Sequence, residues 1–458
     1  MVNELTESQP RARSIAILCF LPDFGHVQPL LKIADALSGA GFKIKCYVPE
    51  ECSVLMDRFS FEYMLLEGAQ LAEGKKILAS IFARSIFFNS FSAYVHLNLF
   101  QAPHVFRAIG QSAERLKSAL IEQRPDFIIS DAYLFGQWYA RIATFLRVPI
   151  IMHHVYGSLI YNQREFVRAY GITATPPFLQ KVVEFCGYLF GQFSKIFYRL
   201  LHLRTWLRVR RIKRASIEAF DAAFPLAIDD TYRLEDITMG IAPLEREKLG
   251  ELINCKNPNR REFPPIGFRS QLPIPQALAS WLVEARETPV VYVSFGSIVR
   301  LDATFVLAVY EALRSLPIRA LWSISTEARQ LLDPVDPAEN IRLESFVPQP
   351  EVLQLPAVRC FVMQGGAPST QESLLSGTPM VCIPFFSDQA YMSSVVEHLH
   401  VGKRLWKRDV SARSIARAVT DVLNTPSYAR NAAAIRDKLK TDANGASIVS
   451  YVNRLPLP

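Results

Sequence analysis

The chain has 458 residues, 50% hydrophobic and 21% charged, a composition that excludes a disordered protein and predicts two large domains rather than one core. The formal net charge of +8 fits a nucleic acid, an anionic surface or an anionic small molecule equally well, so it selects no partner class. Seven scattered cysteines, with no C-x-x-C pair and no histidine cluster at metal-ligand spacing, predict reduced, mostly buried thiols and no metal site.

Residues 1–13 are polar and lack the apolar run of a secretory signal. No stretch of about 20 residues is continuously apolar, so no membrane span is expected. These features predict a cytoplasmic protein.

The first half of the chain alternates strand and helix patterns. An apolar run at residues 14–22 leads through a glycine-containing turn into a helical pattern at 29–41. Further strands are predicted at 43–49, 126–131 and 148–154. Apolar strands separated by helices indicate a parallel sheet that is covered on both faces.

The same alternation of strand and helix patterns begins again at residue 290, after a proline-rich linker that begins at Pro264. Strand patterns follow at 290–297, 320–325, 341–348, 360–366 and 380–384. The sequence therefore predicts an α/β protein with two Rossmann-like, doubly wound parallel-sheet domains. They should face each other across a cleft at the carboxyl ends of their strands, where open sheets bind ligands. The expected boundaries are 1–262, 263–440 and a C-terminal segment, 441–458, that could cross back to the first domain.

A paired-glycine turn ends the strand pattern of the segment 360–375, and a helix should begin near Pro368. Backbone N–H groups at this helix start, with the hydroxyls of Ser369 and Thr370, would form a metal-free site for a diphosphate. A glycine-capped turn with no ligand is the alternative. The residues alone leave both interpretations open.

The segment from Phe346 to Gln389 resembles the donor-binding box of the UDP-dependent glycosyltransferases of family 1, which have the GT-B fold. It has the P-Q pair, the glycine after the strand, and the S-T-x-E-S, G-x-P-M and D-Q motifs, spread over 44 residues. The resemblance implies that 263–440 binds a nucleotide sugar and that 1–262 binds the acceptor. A UDP-sugar would be the donor substrate, with no further cofactor.

The resemblance also implies a role for individual residues of this box. Phe346, where the family usually has tryptophan, would stack on uracil. Gln349 would lie near the base and ribose, and Glu372 would accept hydrogen bonds from ribose hydroxyls. Gly366 and Ser369 would lie against the phosphates.

Sugar hydroxyls would be held by Asp388 and Gln389, since a carboxylate accepts hydrogen bonds and an amide both donates and accepts them. Ser297 ends an F-G-S segment that is similar to the family's other phosphate-facing turn. Gln364 departs from the pattern, because it replaces the histidine that the family normally places against the diphosphate. The loss of a charge-assisted contact would cost about 1 to 2 kcal/mol, roughly one order of magnitude in rate.

Ala367 and Pro368 are a second departure, since they stand where a polar pair is common and one backbone N–H is missing. A catalytically weak or inactive nucleotide-sugar-binding relative, or a partner of an active transferase, therefore stays an alternative. A nucleotide-sugar epimerase of the same fold and a nucleic-acid-binding protein are further alternatives.

His26 is predicted to lie in a loop at the cleft end of the first strand, where its ordinary pKa near 6.5 suits a general base. A structural histidine is the alternative, but the G-H-x-x-P pattern of the family favours the base. The resemblance assigns Asp131 the orienting role, with helix capping as its alternative. The implied reaction is a metal-free, inverting transfer of a hexose, preferably glucose, to a small lipophilic hydroxylated acceptor.

Two segments bear on the acceptor. Residues 77–106 carry one charge, Arg84, among many apolar residues, which suits either an apolar pocket wall or ordinary core helices. Residues 185–214 form a basic amphipathic pattern that would either contact an anionic membrane or pack on the domain with a solvated face.

Overall fold

The computed structural model describes residues 12–21, 24–67, 102–131, 136–154, 203–225, 234–239, 260–269, 271–285, 287–296, 299, 301–333, 335, 338–385 and 389–456. The strands of the first half are β1 (Ser14–Leu18), β2 (Lys43–Pro49), β3 (Glu62–Leu66), β4 (Phe127–Asp131), β5 (Ile150–His154), β6 (Leu234–Met239) and β7 (Arg260–Phe263). The helices are α1 (Phe24–Gly39), α2 (Ala102–Glu122), α3 (Gly136–Leu146) and α4 (Leu203–Ala223).

These seven strands form one sheet in the order β3-β2-β1-β4-β5-β6-β7, and every pairing is parallel. All five residues of β4 are buried, which agrees with a central strand that is covered on both faces. The first domain is therefore the parallel α/β unit that the sequence predicts.

The strands of the second half are β8 (Val290–Ser294), β9 (Arg319–Ser323), β10 (Ile341–Glu344), β11 (Val358–Met363), β12 (Met380–Cys382) and β13 (Gly402–Arg404). The helices are α5 (Gln276–Val283), α6 (Ala303–Arg314), α7 (Thr326–Gln330), α8 (Gln349–Leu353), α9 (Ala367–Ser376), α10 (Gln389–His398), α11 (Ala412–Asn424), α12 (Pro426–Leu439) and α13 (Ala446–Arg454).

This second sheet is also wholly parallel, in the order β10-β9-β8-β11-β12-β13. Successive residues of β8 enter two different apolar clusters: Val290 and Tyr292 belong to one, and Val291 and Val293 to the other. The side chains of a strand alternate between faces, so helices cover both sides of this sheet. The two-domain α/β prediction is confirmed.

Four short strands, β3, β6, β7 and β13, were not predicted from the sequence. Three of them, with the sequences LEDITM, RREF and GKR, are charged, whereas the predicted strands are apolar. Of the four, β3, β7 and β13 lie at sheet edges, where charged residues are tolerated because one side of the strand is unpaired.

The last helix, α13, packs on the first domain rather than on the second. Ile448, Tyr451 and Val452 belong to the core cluster of the first domain. The Arg13 guanidinium donates hydrogen bonds to the carbonyls of Val452 and Leu455, both at 3.1 Å. The end of the chain thereby ties the two domains together.

Residues 77–101 of the expected acceptor wall and 185–202 of the basic segment lie outside the described residues. The rest of the basic segment belongs to α4, which packs along α2, and the Lys213 ammonium lies 4.9 Å from the centre of the Phe106 ring. None of the helices that the structure describes combines the length and apolarity that a membrane span requires. Membrane contact of this segment stays a prediction.

Candidate active site

His26 lies in the first turn of α1, which begins at Phe24. The expectation of a loop here, with the helix starting at Pro29, was wrong. Pro29 cannot donate an intrahelical hydrogen bond and its ring crowds the carbonyl four residues earlier, yet one helical turn precedes it in this chain. The early start places the imidazole directly after β1, at the carboxyl edge of the first sheet.

Asp131 is the last residue of β4, which pairs with β1, and it is fully buried. Its Oδ2 atom lies 3.2 Å from Nδ1 of His26, and the imidazole is buried as well. Helix α3 begins only at Gly136, so Asp131 is not its N-cap residue. The structure thus brings together the two residues that the sequence singled out for proton transfer.

Across the cleft, three of the predicted donor residues form one hydrogen-bond network. The Gln349 amide donates to Oε2 of Glu372 at 2.7 Å and to the Ser369 hydroxyl at 3.1 Å. The Tyr292 hydroxyl donates to Oε1 of Gln349 at 3.3 Å. Burial raises the pKa of Tyr292, so its phenol keeps the proton that it donates.

Tyr292 was missed because its only sequence signal is that of a buried strand residue. It lies in β8 and stacks on Phe361 of the neighbouring β11, with 4.9 Å between ring centres. Its hydroxyl extends from this apolar contact to the donor network. The residue therefore fixes the orientation of Gln349 from within the sheet.

Gln364 follows β11 and packs on two glycine backbones. A methyl group at Gly296 would lie 2.5 Å from Nε2 of Gln364, and one at Gly366 would lie 3.3 Å from it. The Oε1 atom is buried and has no hydrogen-bond partner among the described residues. A neutral amide with an unsatisfied acceptor thus lies at the start of α9.

Helix α9 begins as the sequence predicts, with Gly366 as N-cap and Pro368 in the first turn. No side chain caps it, and Ser369 is only partly buried in that same turn. The positive end of its dipole suits an anion. Phe346 precedes α8 and is 52% exposed, so its side chain is available for contact with a flat group.

The remaining predicted donor residues are Gln389, Ser297 and Asp388. Gln389 is buried at the start of α10, and its Oε1 accepts a hydrogen bond from the Phe385 N–H at 2.9 Å. This amide therefore closes a backbone turn in addition to any ligand contact. Ser297 and Asp388 lie outside the described residues.

Lys32 is a site residue that the sequence analysis missed. It lies on α1, and its ammonium donates to Oε1 of Glu372 on α9 at 2.8 Å. Both side chains are almost fully buried, at 3% and 4% exposed. Lys32 and Asp35 are charges within the otherwise apolar run 30–37, and this was the only signal that the sequence offered.

A second interdomain ion pair lies beside it. Arg58 contacts Glu351 of α8 at 2.8 Å, and both side chains are buried. Both cations contact the Phe268 ring, whose centre lies 4.1 Å from the Arg58 guanidinium and 5.0 Å from the Lys32 ammonium. Within the described ranges, no cluster of three or more His, Cys, Asp or Glu side chains could hold a metal ion.

The family described as UDP-glucoronosyl and UDP-glucosyl transferase matches residues 258–442. An ecdysteroid UDP-glucosyltransferase of Spodoptera littoralis nuclear polyhedrosis virus is 32% identical over 33% of this chain and 29% of its own length. An anthocyanidin 3-O-glucosyltransferase of Vitis vinifera is 30% identical over 48% of this chain and 44% of its own length. A flavonol 3-O-glucosyltransferase of Actinidia chinensis var. chinensis is 26% identical over 66% of this chain and 65% of its own length. The chain thus spans less than two thirds of each of these relatives.

Among solved structures, spinosyn forosaminyltransferase is similar with a TM-score of 0.61 and 15% identity, over 96% of this chain and 99% of that one. The Os79 protein from O. sativa, solved in complex with U2F and trichothecene, gives a TM-score of 0.61 and 18% identity over the same shares. At such identities the likeness shows the fold, which is GT-B. The family match over residues 258–442 and the relatives support a family 1 UDP-glycosyltransferase, and the solved structures show its GT-B fold.

Proposed function

We propose that the protein transfers a hexose, preferably glucose, from a UDP-sugar to a hydroxyl of a small lipophilic acceptor, with inversion at the anomeric carbon. The observation that carries this proposal is the buried contact of 3.2 Å between Nδ1 of His26 and Oδ2 of Asp131. A binding protein without catalysis has no physical need for a histidine held by a carboxylate at the cleft edge.

In the proposed reaction His26 takes the proton of the acceptor hydroxyl through Nε2. The oxygen attacks the anomeric carbon while UDP leaves from the opposite face, so one bond forms as one breaks. Asp131 orients the imidazole and balances its positive charge once the proton has been accepted. No covalent intermediate with the protein is required.

The proposed donor site lies on the second domain. Phe346 stacks on the base, the network of Gln349 and Glu372 receives the ribose, and the start of α9 holds the diphosphate. The dipole of α9 and the hydroxyl of Ser369 stabilise the leaving group without a metal. Asp388 and Gln389 hold the sugar, and Ser297 adds to the phosphate contacts.

The relatives and the composition support the proposed acceptor class. The names of the relatives specify ecdysteroid, anthocyanidin and flavonol acceptors, which are hydroxylated ring compounds. The apolar segment 77–106 supports an acceptor of this kind. We therefore propose a lipophilic ring compound with a free hydroxyl as acceptor.

The test is release of UDP from UDP-glucose with a panel of sterols, phenolics and hydroxy fatty acids, for the wild type and His26→Ala. We expect acceptor-dependent release that His26→Ala lowers at least about 100-fold. His398→Ala, at the exposed end of α10, is the matched control and should keep the wild-type rate. Equal rates for His26→Ala and the wild type would refute the role of His26 as general base.

A non-catalytic nucleotide-sugar-binding protein is the second candidate, and one observation favours it. Gln364 presents a neutral amide at the start of α9, where a cation would stabilise the leaving diphosphate better. UDP binding without turnover of any nucleotide sugar would support this candidate. Conversion of the sugar without an acceptor would instead indicate an epimerase.

A further inference from the structure

The carboxylate of Glu372 is engaged on both of its oxygens by side chains of the protein. Oε1 accepts from the Lys32 ammonium at 2.8 Å, and Oε2 accepts from the Gln349 amide at 2.7 Å. These two partners differ in origin, because Gln349 belongs to the same domain as Glu372 and Lys32 to the other one. One half of the carboxylate is therefore held across the cleft.

Burial makes this contact exclusive. The side chains of Lys32 and Glu372 are only 3% and 4% exposed, so no ribose can reach the carboxylate in this arrangement of the domains. A carboxylate oxygen can accept more than one hydrogen bond, but only where there is room for a second donor. A ribose hydroxyl that binds Glu372 must displace the Lys32 ammonium or move α1 away from α9.

We propose that Lys32 occupies the place of a ribose hydroxyl on Glu372, so that nucleotide binding and the interdomain ion pair compete. This inference rests on the proposed function, since the ribose contact of Glu372 belongs to it. Lys32 is then a positioning residue: it holds the first domain against the donor site, and nucleotide binding releases it. Only molecules in which the ion pair is broken can then bind the nucleotide. The apparent nucleotide affinity is therefore the intrinsic affinity multiplied by the fraction of such molecules.

Lys32 is proposed to affect nucleotide binding, whereas an ordinary interdomain contact affects only stability. The neighbouring ion pair of Arg58 and Glu351 serves as the comparison. Arg58 and Glu351 also join the two domains, with side chains 7% and 8% exposed. Glu351 accepts a further hydrogen bond from the Leu272 N–H at 2.9 Å, and it is not part of the proposed donor site. Loss of Arg58 should therefore weaken domain packing without freeing Glu372.

The experiment is calorimetric titration of the full chain with UDP, alongside thermal unfolding, for the wild type, Lys32→Met and Arg58→Met. We expect Lys32→Met to lower the melting temperature, because Glu372 loses its buried counter-charge. The same variant should bind UDP about three-fold or more tightly, because a competitor is gone. Arg58→Met should lower the melting temperature and keep the Kd for UDP within about two-fold of the wild type.

A double-mutant cycle with Glu372→Gln tests whether Lys32 acts on UDP binding through the Glu372 carboxylate. In a Glu372→Gln background, Lys32→Met should no longer change the Kd for UDP, since the two residues then share no ionic contact. If Lys32→Met does not fold, Lys32→Gln replaces it under the same criterion. Equal or weaker UDP binding by the Lys32 variant, with normal binding by the wild type, overturns this inference alone. Absence of UDP binding in every variant overturns the proposed donor site and this inference with it.

Discussion

Nδ1 of His26 lies 3.2 Å from Oδ2 of Asp131, and neither side chain has appreciable contact with solvent. The two residues come from adjacent strand–helix units of one sheet, since His26 follows β1 and Asp131 ends β4. In such an enclosed place an aspartate stabilises an imidazolium more strongly than it would in water. The pair is therefore suited to accept one proton from an acceptor hydroxyl.

Replacement of Asp131 by Asn should preserve the shape of the site and remove its charge. We expect kcat to fall by about 10² to 10⁴. The imidazolium loses its counter-charge, and no carboxylate then holds the neutral imidazole in one tautomer. Steady-state kinetics at saturating UDP-glucose and acceptor measure this. The Kd for UDP is the internal control and should not change, since the proposed donor residues belong to the other domain. A kcat close to that of the wild type would contradict the orienting role.

Gln364→His should raise kcat about ten-fold, because a charged donor stabilises the leaving diphosphate better than an amide. The measurement is the rate of UDP release at saturating substrates. Gln364→Leu is the matched control: it has a similar volume but no donor, and it should lower kcat. An unchanged or reduced rate in Gln364→His would mean that the amide serves another contact.

Gly296→Ala should damage both the fold and the donor site. Gly296 has a φ of +70°, and an added methyl group would lie 2.5 Å from Nε2 of Gln364. We expect a loss of about 1 to 2 kcal/mol in the free energy of unfolding from the backbone alone, and weaker UDP binding. Urea unfolding and UDP titration measure the two effects. Gly267→Ala is the control, because its nearest neighbour, the carbonyl oxygen of Ala443, would lie 3.8 Å away.

The sequence predicted the strand–turn–helix structure around Gln364 because that structure is local. Gln364, Ser369 and Glu372 lie on one strand–turn–helix unit, so the chain itself fixes their spacing. The paired glycines and Pro368 are strong signals for such a turn. The hydrogen bonds from Gln349 to Ser369 and Glu372 involve only one further short helix, α8.

The interdomain contacts were out of reach for a pattern-based prediction. Lys32 and Glu372 are 340 residues apart, and nothing in either neighbourhood specifies the other. The edge strands β7 and β13 were missed for a related reason, since their charged residues are stabilised by position in the sheet rather than by an apolar pattern. The start of α1 was misplaced because Pro29 resembles a first helical residue.

Gly445→Ala tests the contact of the last helix with the first domain. Gly445 precedes α13 with a φ of +77°, and an added methyl group would lie 2.8 Å from the Cβ atom of Ala36 on α1. We expect a loss of about 2 kcal/mol or more in the free energy of unfolding, from backbone strain and the displaced helix together. Thermal and urea unfolding measure it. Ser447→Ala, which removes only the hydrogen bond from the Ser447 hydroxyl to Asp442, should cost less.

The buried thiols should make the protein less stable at high pH. Burial raises the pKa of Cys382 from 9.0 to about 12, and it raises the pKa values of Cys46 and Cys360 as well. The folded protein keeps these protons while the unfolded chain loses them, so stability is complete below about pH 9 and falls as the pH rises toward 12. Urea midpoints across this range measure the decline. Cys382→Ala removes one of the thiols and should make the decline shallower, whereas an unchanged slope would exclude a contribution from Cys382.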